Sequence, residues 1–150
     1  MIEVVRDDLL HADVEALVNP VNCVGYMGKG LALQFKRAFP ANFNAYAAAC
    51  KAGEVAPGTM FIHDTARLAN PRYIVNFPTK RHWRDKSRLD DIAAGLFAMV
   101  VVVRQRGIRS IAVPPLGCGL GELDWAVVQP MIEEAFADVP TVRMLLFEPS

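Results

Sequence analysis

Short apolar runs with no polar face recur along this chain and narrow its fold more than any other feature. Glu15-Ala-Leu-Val-Asn19, Tyr73–Phe77, Ser110–Val113 and Val142–Phe147 are short and mostly apolar, with Pro, Gly or Asn at or near their ends. Successive side chains of a strand point to opposite faces, so a strand that is apolar throughout needs cover on both sides. Ile2–Arg6 and Thr59–His63 read as further strands. Between the runs lie stretches with helical spacing. Leu31, Gln34/Phe35 and Ala38/Phe39 predict a helix over Leu31–Phe39 that Pro40 ends. The Ala-rich segment Asn42–Lys51 predicts another, with Gly53 as its C-cap. Leu89, Ile92, Ala93, Leu96, Phe97, Val100 and Val103 follow i, i+3, i+4, i+7 spacing up to Gly107. Asp124 is placed to cap a last helix to about Ala137, kinked near Pro130. Strands alternating with helices specify an α/β sheet with helices on both faces.

The 150 residues suit one domain over 1–150. With 53% hydrophobic and 21% charged residues the chain is no disordered polymer. Sixteen Lys+Arg balance sixteen Asp+Glu, which excludes a globally basic nucleic-acid binder or an acidic mimic and makes every charge argument local. Cys23, Cys50 and Cys118 show no metal-type spacing and read as reduced thiols. The start MIEVVRDDLL has acids where a signal peptide is basic, so a cytoplasmic protein is expected. The longest apolar run, Ile92–Val103, falls short of the roughly 20 residues that span a membrane, and no membrane partner is expected.

Two glycine loops leave the carboxyl ends of predicted strands, where open α/β sheets take their ligands. The first, residues 19–32, has glycines at 25, 28 and 30 and leads into a helix whose N-terminal end is positive. It fits neither the Walker A register nor GxGxxG. The second, residues 114–125, alternates Gly117, Gly119 and Gly121 ahead of the last helix. Each alone also reads as a plain strand-to-helix turn; together they suit a diphosphate held between them. From Lys80 to Arg88 the chain carries five basic residues and one acid. A charge run is ordinarily a solvated face, but with His82 and Trp83 it pairs phosphate contacts with stacking surfaces, as single-stranded nucleic acid requires. Like charges on Arg81, Arg84 and Lys86 are expected to lower the pKa of Lys80 and favour its nucleophilic amine. Asn19 reads either as a cap or as a ligand contact, Asn22 as the partner of a ligand hydroxyl. Asp8 reads as a cap or as the acceptor of an exocyclic amine. Cys23 and Cys118 have no base partner.

Asp7-Asp8-Leu9, Asn19-Pro20-Val21-Asn22 with Gly28-Lys29-Gly30-Leu31-Ala32, and Ile111–Gly121 together resemble the macrodomain family over the whole chain. Asn76-Phe-Pro-Thr-Lys-Arg-His-Trp-Arg84 adds a lysine-bearing loop that generic macrodomains lack. It resembles the terminal ADP-ribose glycohydrolase branch, and within it the DarG-type antitoxins, which take ADP-ribose off thymidine bases of single-stranded DNA modified by DarT-type toxins. The resemblance implies a three-layer α/β/α fold with a mixed sheet of about six strands. It implies ADP-ribose contacts from Asp8 and Leu9 at the adenine, from Gly28, Lys29 and Gly30 and from Gly117, Cys118, Gly119, Leu120 and Gly121 around the diphosphate, and from Asn19, Asn22 and Thr79. Lys80 and Asn22 are then the catalytic pair, and Arg81, His82, Trp83 and Arg84 the nucleic-acid contacts. Neither metal nor cofactor is implied; the partners are ADP-ribose, ADP-ribosylated DNA and a DarT-type toxin, for a monomer whose gene has room for a C-terminal domain. In one departure, protein-directed glycohydrolases of this branch carry an acid where Gly121 stands, with Glu122 adjacent here. That favours a nucleobase link. Two other readings stand beside it: a module that binds ADP-ribose without chemistry, and a hydrolase of small ADP-ribose derivatives.

Overall fold

Strand pairing in the computed structural model, which describes all 150 residues, follows the apolar runs. The strands are β1 (Ile2–Val5), β2 (Ala16–Val21), β3 (Phe61–Asp64), β4 (Tyr73–Pro78), β5 (Ser110–Val113) and β6 (Arg143–Phe147); the helices are α1 (Gly30–Ala38), α2 (Pro40–Lys51), α3 (Leu89–Arg106) and α4 (Trp125–Ala137). They form one six-stranded sheet in the order β1-β6-β5-β2-β4-β3. Only β3 runs antiparallel to its neighbour. The sheet is mixed and covered on both faces, the three-layer arrangement that the apolar strands require. No helix is long and apolar enough to cross a membrane.

Strand alternation divides the core. Ala16, Val18, Val75, Phe77, Ile111, Val113, Met144 and Leu146 face α3 and α4 and pack on Ile92, Leu96, Met99, Val128 and Ile132. Leu17, Ile74, Ala112 and Leu145 face the other way, against Phe35 of α1. Gly95 lets α3 lie directly on β4, since a Cβ there would overlap the Phe77 ring.

Three boundaries differ from expectation by two residues, the others by one at most. β2 continues through Asn19-Pro20 to Val21. The Glu15 and Val21 carbonyls accept from the β4 side, so odd residues of β2 face β4 and Pro20 faces away from it. On that side β5 pairs only with Ala16 and Leu17, so no donor is missed at Pro20. Pro40, expected only to end one helix, opens the next at its first turn, where its lack of an N–H is harmless. Thr59 closes a turn with Ala56 and leaves β3 to start at Phe61.

Asn19 is the clearest correction. It lies opposite Asn76 in the β2–β4 register, on the α2 side, and is fully buried. Its Nδ2 donates to Asn76 Oδ1 at 3.1 Å, while Asn76 Nδ2 donates to Asn42 Oδ1 at 2.8 Å and to the Phe61 carbonyl at 3.0 Å. Asn42, fully buried on α2, donates back to Asn76 Oδ1. A buried amide without partners is costly, so the three fix strand register and helix docking together. Asn19 does not line the ligand cleft described below. Asn76→Ala strands Asn42 Oδ1 and the Phe61 carbonyl without their donor. We expect a loss of about 2 kcal/mol, read from the urea midpoint at unchanged slope.

Candidate active site

Five parallel strands, β1, β6, β5, β2 and β4, point their carboxyl ends at one edge of the sheet. At about 4.8 Å per neighbour the outer two are roughly 19 Å apart. A cleft of about 1050 Å³ runs along this edge. Asp7, Asp8 and Leu9 line it after β1, Phe147 and Glu148 at the end of β6, Gly117–Gly121 after β5, Asn22 and Tyr26–Ala32 (Met27 excepted) after β2, and Thr79, Lys80, Trp83 and Arg84 after β4. Both glycine loops and the lysine loop therefore converge, as expected. Arg81 and His82 do not line the cleft.

The loops offer unspent donors. The N–H groups of Gly28, Lys29, Gly30 and Leu31 find no acceptor within the protein, and the N-terminus of α1 has no side-chain cap. Gly30 has φ +58°, which favours glycine. In the second loop the N–H groups of Gly119, Leu120 and Gly121 are equally free. Two runs of free amides facing one space form an anion cradle. The second loop does not lend its helix dipole, however. Asp124 already caps α4 by accepting from Ala126 N at 3.0 Å. Leu120 is largely exposed, and its Cδ1 lies 3.9 Å from where a Gly30 Cβ would be, so the loops meet across the cleft.

Asp8 caps the short turn Leu9–His11, accepting from Leu10 N at 3.0 Å, and its second oxygen stands 3.5 Å from His11 Nδ1. Leu9 is buried, so its side chain belongs to the core beneath α1. Asn22 organises the first loop from within. Its Oδ1 accepts from Val24 N, Tyr26 N and the Tyr46 hydroxyl, the last at 2.8 Å, and its Nδ2 donates to the Tyr26 carbonyl at 2.8 Å. One Nδ2 hydrogen remains, so Asn22 is a donor toward the cleft and cannot take up a proton there. Thr79 is buried and ties β4 to β2 through Thr79 N to the Val21 carbonyl, 2.8 Å.

Lys80 follows directly, with Nζ 3.5 Å from the Trp83 carbonyl. Its pKa is lowered, as expected, but by another cause. Burial comes first; Glu122 and Asp85 oppose it, and the like charge that lowers it further is Lys29 of the first loop. Arg81 is not a free cation. Its Nε and Nη2 donate to Asp91 at the start of α3, both at 3.2 Å. His82 turns inward to accept from Arg84 N at 3.2 Å. Trp83 and Arg84 remain exposed, the guanidinium 5.2 Å from the indole centre. Burial pushes the Cys23 and Cys118 thiols up to about 11, which leaves neither a nucleophile near neutrality.

Gly121 has no room for a side chain. A Cβ there would overlap Ser87 Oγ and stand 2.5 Å from the Gly117 carbonyl oxygen. Ser87 N donates to the Gly121 carbonyl at 3.0 Å, which joins the lysine loop to the second glycine loop. Glu122 turns to Lys86, 3.4 Å away, and does not line the cleft. The carboxylates that do line it, Asp7, Asp8 and Glu148, sit at the opposite end from Lys80. Tyr26 and Glu148 carried no spacing signal. A tyrosine beside Gly25 and Gly28 was the available hint for one, and the parallel run of β6 beside β1 for the other.

The family model described as "Macro domain" matches residues 18–132. The chain belongs to the macrodomain family. As a macrodomain it is 55% identical over 143 residues to a DNA ADP-ribosyl glycohydrolase of Mycobacterium tuberculosis, matching 95% of this chain and 41% of that protein. The macrodomain of Mycobacterium tuberculosis DarG superimposes with a TM-score of 0.99 at 54% identity, covering 100% of this chain and 99% of that one. Thermosipho africanus DarTG, solved in complex with ADP-ribose, superimposes with a TM-score of 0.90 at 32% identity, covering 98% of this chain and 41% of that one. The macrodomain thus spans about two-fifths of the length of the curated relatives it matches.

Proposed function

We infer that this macrodomain releases ADP-ribose from a thymidine base of single-stranded DNA and so reverses the action of a DarT-type toxin. The observation that carries the reading is Lys80, its amine partly buried at the end of the cleft away from every lining carboxylate, with Trp83 and Arg84 exposed beside it. In the reaction the bond from the ribose anomeric carbon to the base nitrogen breaks; water supplies the oxygen to that carbon and a proton to the nitrogen. A nucleobase departs with its charge delocalised and needs less acid assistance than an alkoxide. A cleft whose lining carboxylates all lie at the far end from its lysine suits such a leaving group. The relatives' names, the Thermosipho complex with ADP-ribose, and the two runs of free amides support the same reading.

The direct test incubates the protein with a single-stranded oligonucleotide bearing ADP-ribose on one thymidine and reads free ADP-ribose by mass. Retention of intact substrate overturns the reading. Arg84 gives a second check. It lines the cleft and has no carboxylate partner, unlike Arg81. The KM for modified oligonucleotide is expected to rise with salt. Arg84→Ala should raise it roughly three- to tenfold at low salt and flatten the log–log salt slope by about 0.7, the share of one phosphate contact on a single strand. An unchanged slope removes Arg84 from the interface.

A further inference from the structure

We propose that Tyr26 and Trp83 form the seat of the departing base, and that Tyr26 is the residue that selects base-linked ADP-ribose. The proposal rests on the function inferred above and assigns its recognition element. Tyr26 comes from the loop after β2 and Trp83 from the loop after β4; both line the cleft, and their ring centroids are 6.0 Å apart at a tilt of 33°. Tyr26 is 60% and Trp83 49% exposed, while Tyr46 and Phe35 are fully buried. Two exposed aromatic rings in contact at a cleft form a ready apolar surface for a planar ligand.

The position of the pair says which part of the ligand it meets. Lys80 Nζ is 3.5 Å from the Trp83 carbonyl, and Asn22 accepts from Tyr26 N and donates to the Tyr26 carbonyl. The rings therefore stand on the backbone that carries the reactive amine and on the loop that Asn22 fixes. Asp8, implied for the adenine, follows β1, three strands from β2 and four from β4. Local structure also makes room for the tyrosine. A Cβ at Gly28 would come within 2.9 Å of Tyr26 Cε1, so the glycine leaves that space to the ring. The Tyr26 hydroxyl makes no hydrogen bond within the protein, so the ring is held by contact alone and can tilt onto a base. Arg84 over the indole adds a cation for the flanking phosphate. Stacking accepts any base face, so the seat recognises the aromatic character of the leaving group.

The test compares wild type, Tyr26→Ala and Tyr26→Phe on the modified oligonucleotide and on free ADP-ribose. For Tyr26→Ala we expect the oligonucleotide KM to rise roughly 5- to 150-fold, the range for one stacked base, with a smaller change in kcat. Tyr26→Phe should stay within about threefold of wild type, because the ring and not the hydroxyl does the stacking. The calorimetric Kd for ADP-ribose should stay within about twofold of wild type in Tyr26→Ala, because free ADP-ribose has no departing base to stack on the pair. Binding is read separately in a Lys80→Ala background, which does not depend on cleavage: the modified oligonucleotide should quench tryptophan fluorescence, ADP-ribose should not, and Trp83→Phe should remove the quench. Equal losses on both ligands, or no loss on the oligonucleotide, overturn the seat. Absence of cleavage by wild type with the quench intact sinks the inferred reaction and leaves the seat standing.

Discussion

Lys80→Ala is expected to lower the release of ADP-ribose from modified DNA by at least about 10³-fold, ~4 kcal/mol of barrier. Lys80 lies at the end of the cleft away from the lining carboxylates, has lost part of its hydration and makes no salt bridge, although Glu122 and Asp85 nearby favour its charged form. Burial disfavours the ammonium form and lowers its pKa. The free amine can attack the anomeric carbon directly; the ammonium can only stabilise the departing base. The two routes differ in pH dependence. If the amine is required, turnover rises as pH climbs through the lowered pKa and is lost below it. If the ammonium is required, turnover falls over the same interval. Lys80→Arg separates them again, because arginine keeps the charge and is no useful nucleophile. An active Lys80→Arg excludes the covalent route, and borohydride trapping of an imine during turnover establishes it. Near-full activity in Lys80→Ala overturns the assignment.

Gly119→Glu is expected to weaken ADP-ribose binding at least about 100-fold, or ~2.7 kcal/mol. Gly119 is the position in the second loop where a Cβ meets no atom within 4 Å. It also lacks the positive φ that strains Gly117 substitutions. The fold therefore tolerates the change, and Gly119 lines the cleft beside the free amides of Leu120 and Gly121. A carboxylate there occupies the anion cradle and repels a diphosphate. Titration calorimetry reads the affinity, and thermal unfolding serves as the control for the fold. Unchanged affinity would show that the diphosphate lies elsewhere.

What the sequence disclosed follows from the range of each interaction. α3 was legible because seven apolar residues repeat with helical spacing and Gly107, in the left-handed conformation, ends the pattern. The convergence of the loops was legible because parallel strands send their carboxyl ends to one edge. Asn19 was not, because its role depends on register with Asn76 and on α2, neither of which its neighbours in sequence encode. Arg81 was grouped with Arg84 by proximity in the chain, yet Asp91 claims it across ten residues. The pKa of Lys80 moves in the expected direction through burial, a property that charge counting along the chain does not see. Tyr26 gained its meaning only when β2 and β4 brought it to Trp83.

Ser87 and Gly121 also set the order in which this site can evolve. A carboxylate introduced at 121 meets the serine hydroxyl and the Gly117 carbonyl before it reaches the cleft. As a lone change it is therefore harmful, whatever chemistry it offers. The side chain at 87 has to shrink first, a step that gains no activity, and the loop has to relax before the acid becomes useful. A lineage with serine at 87 is thus held to a second glycine loop that has no carboxylate at 121.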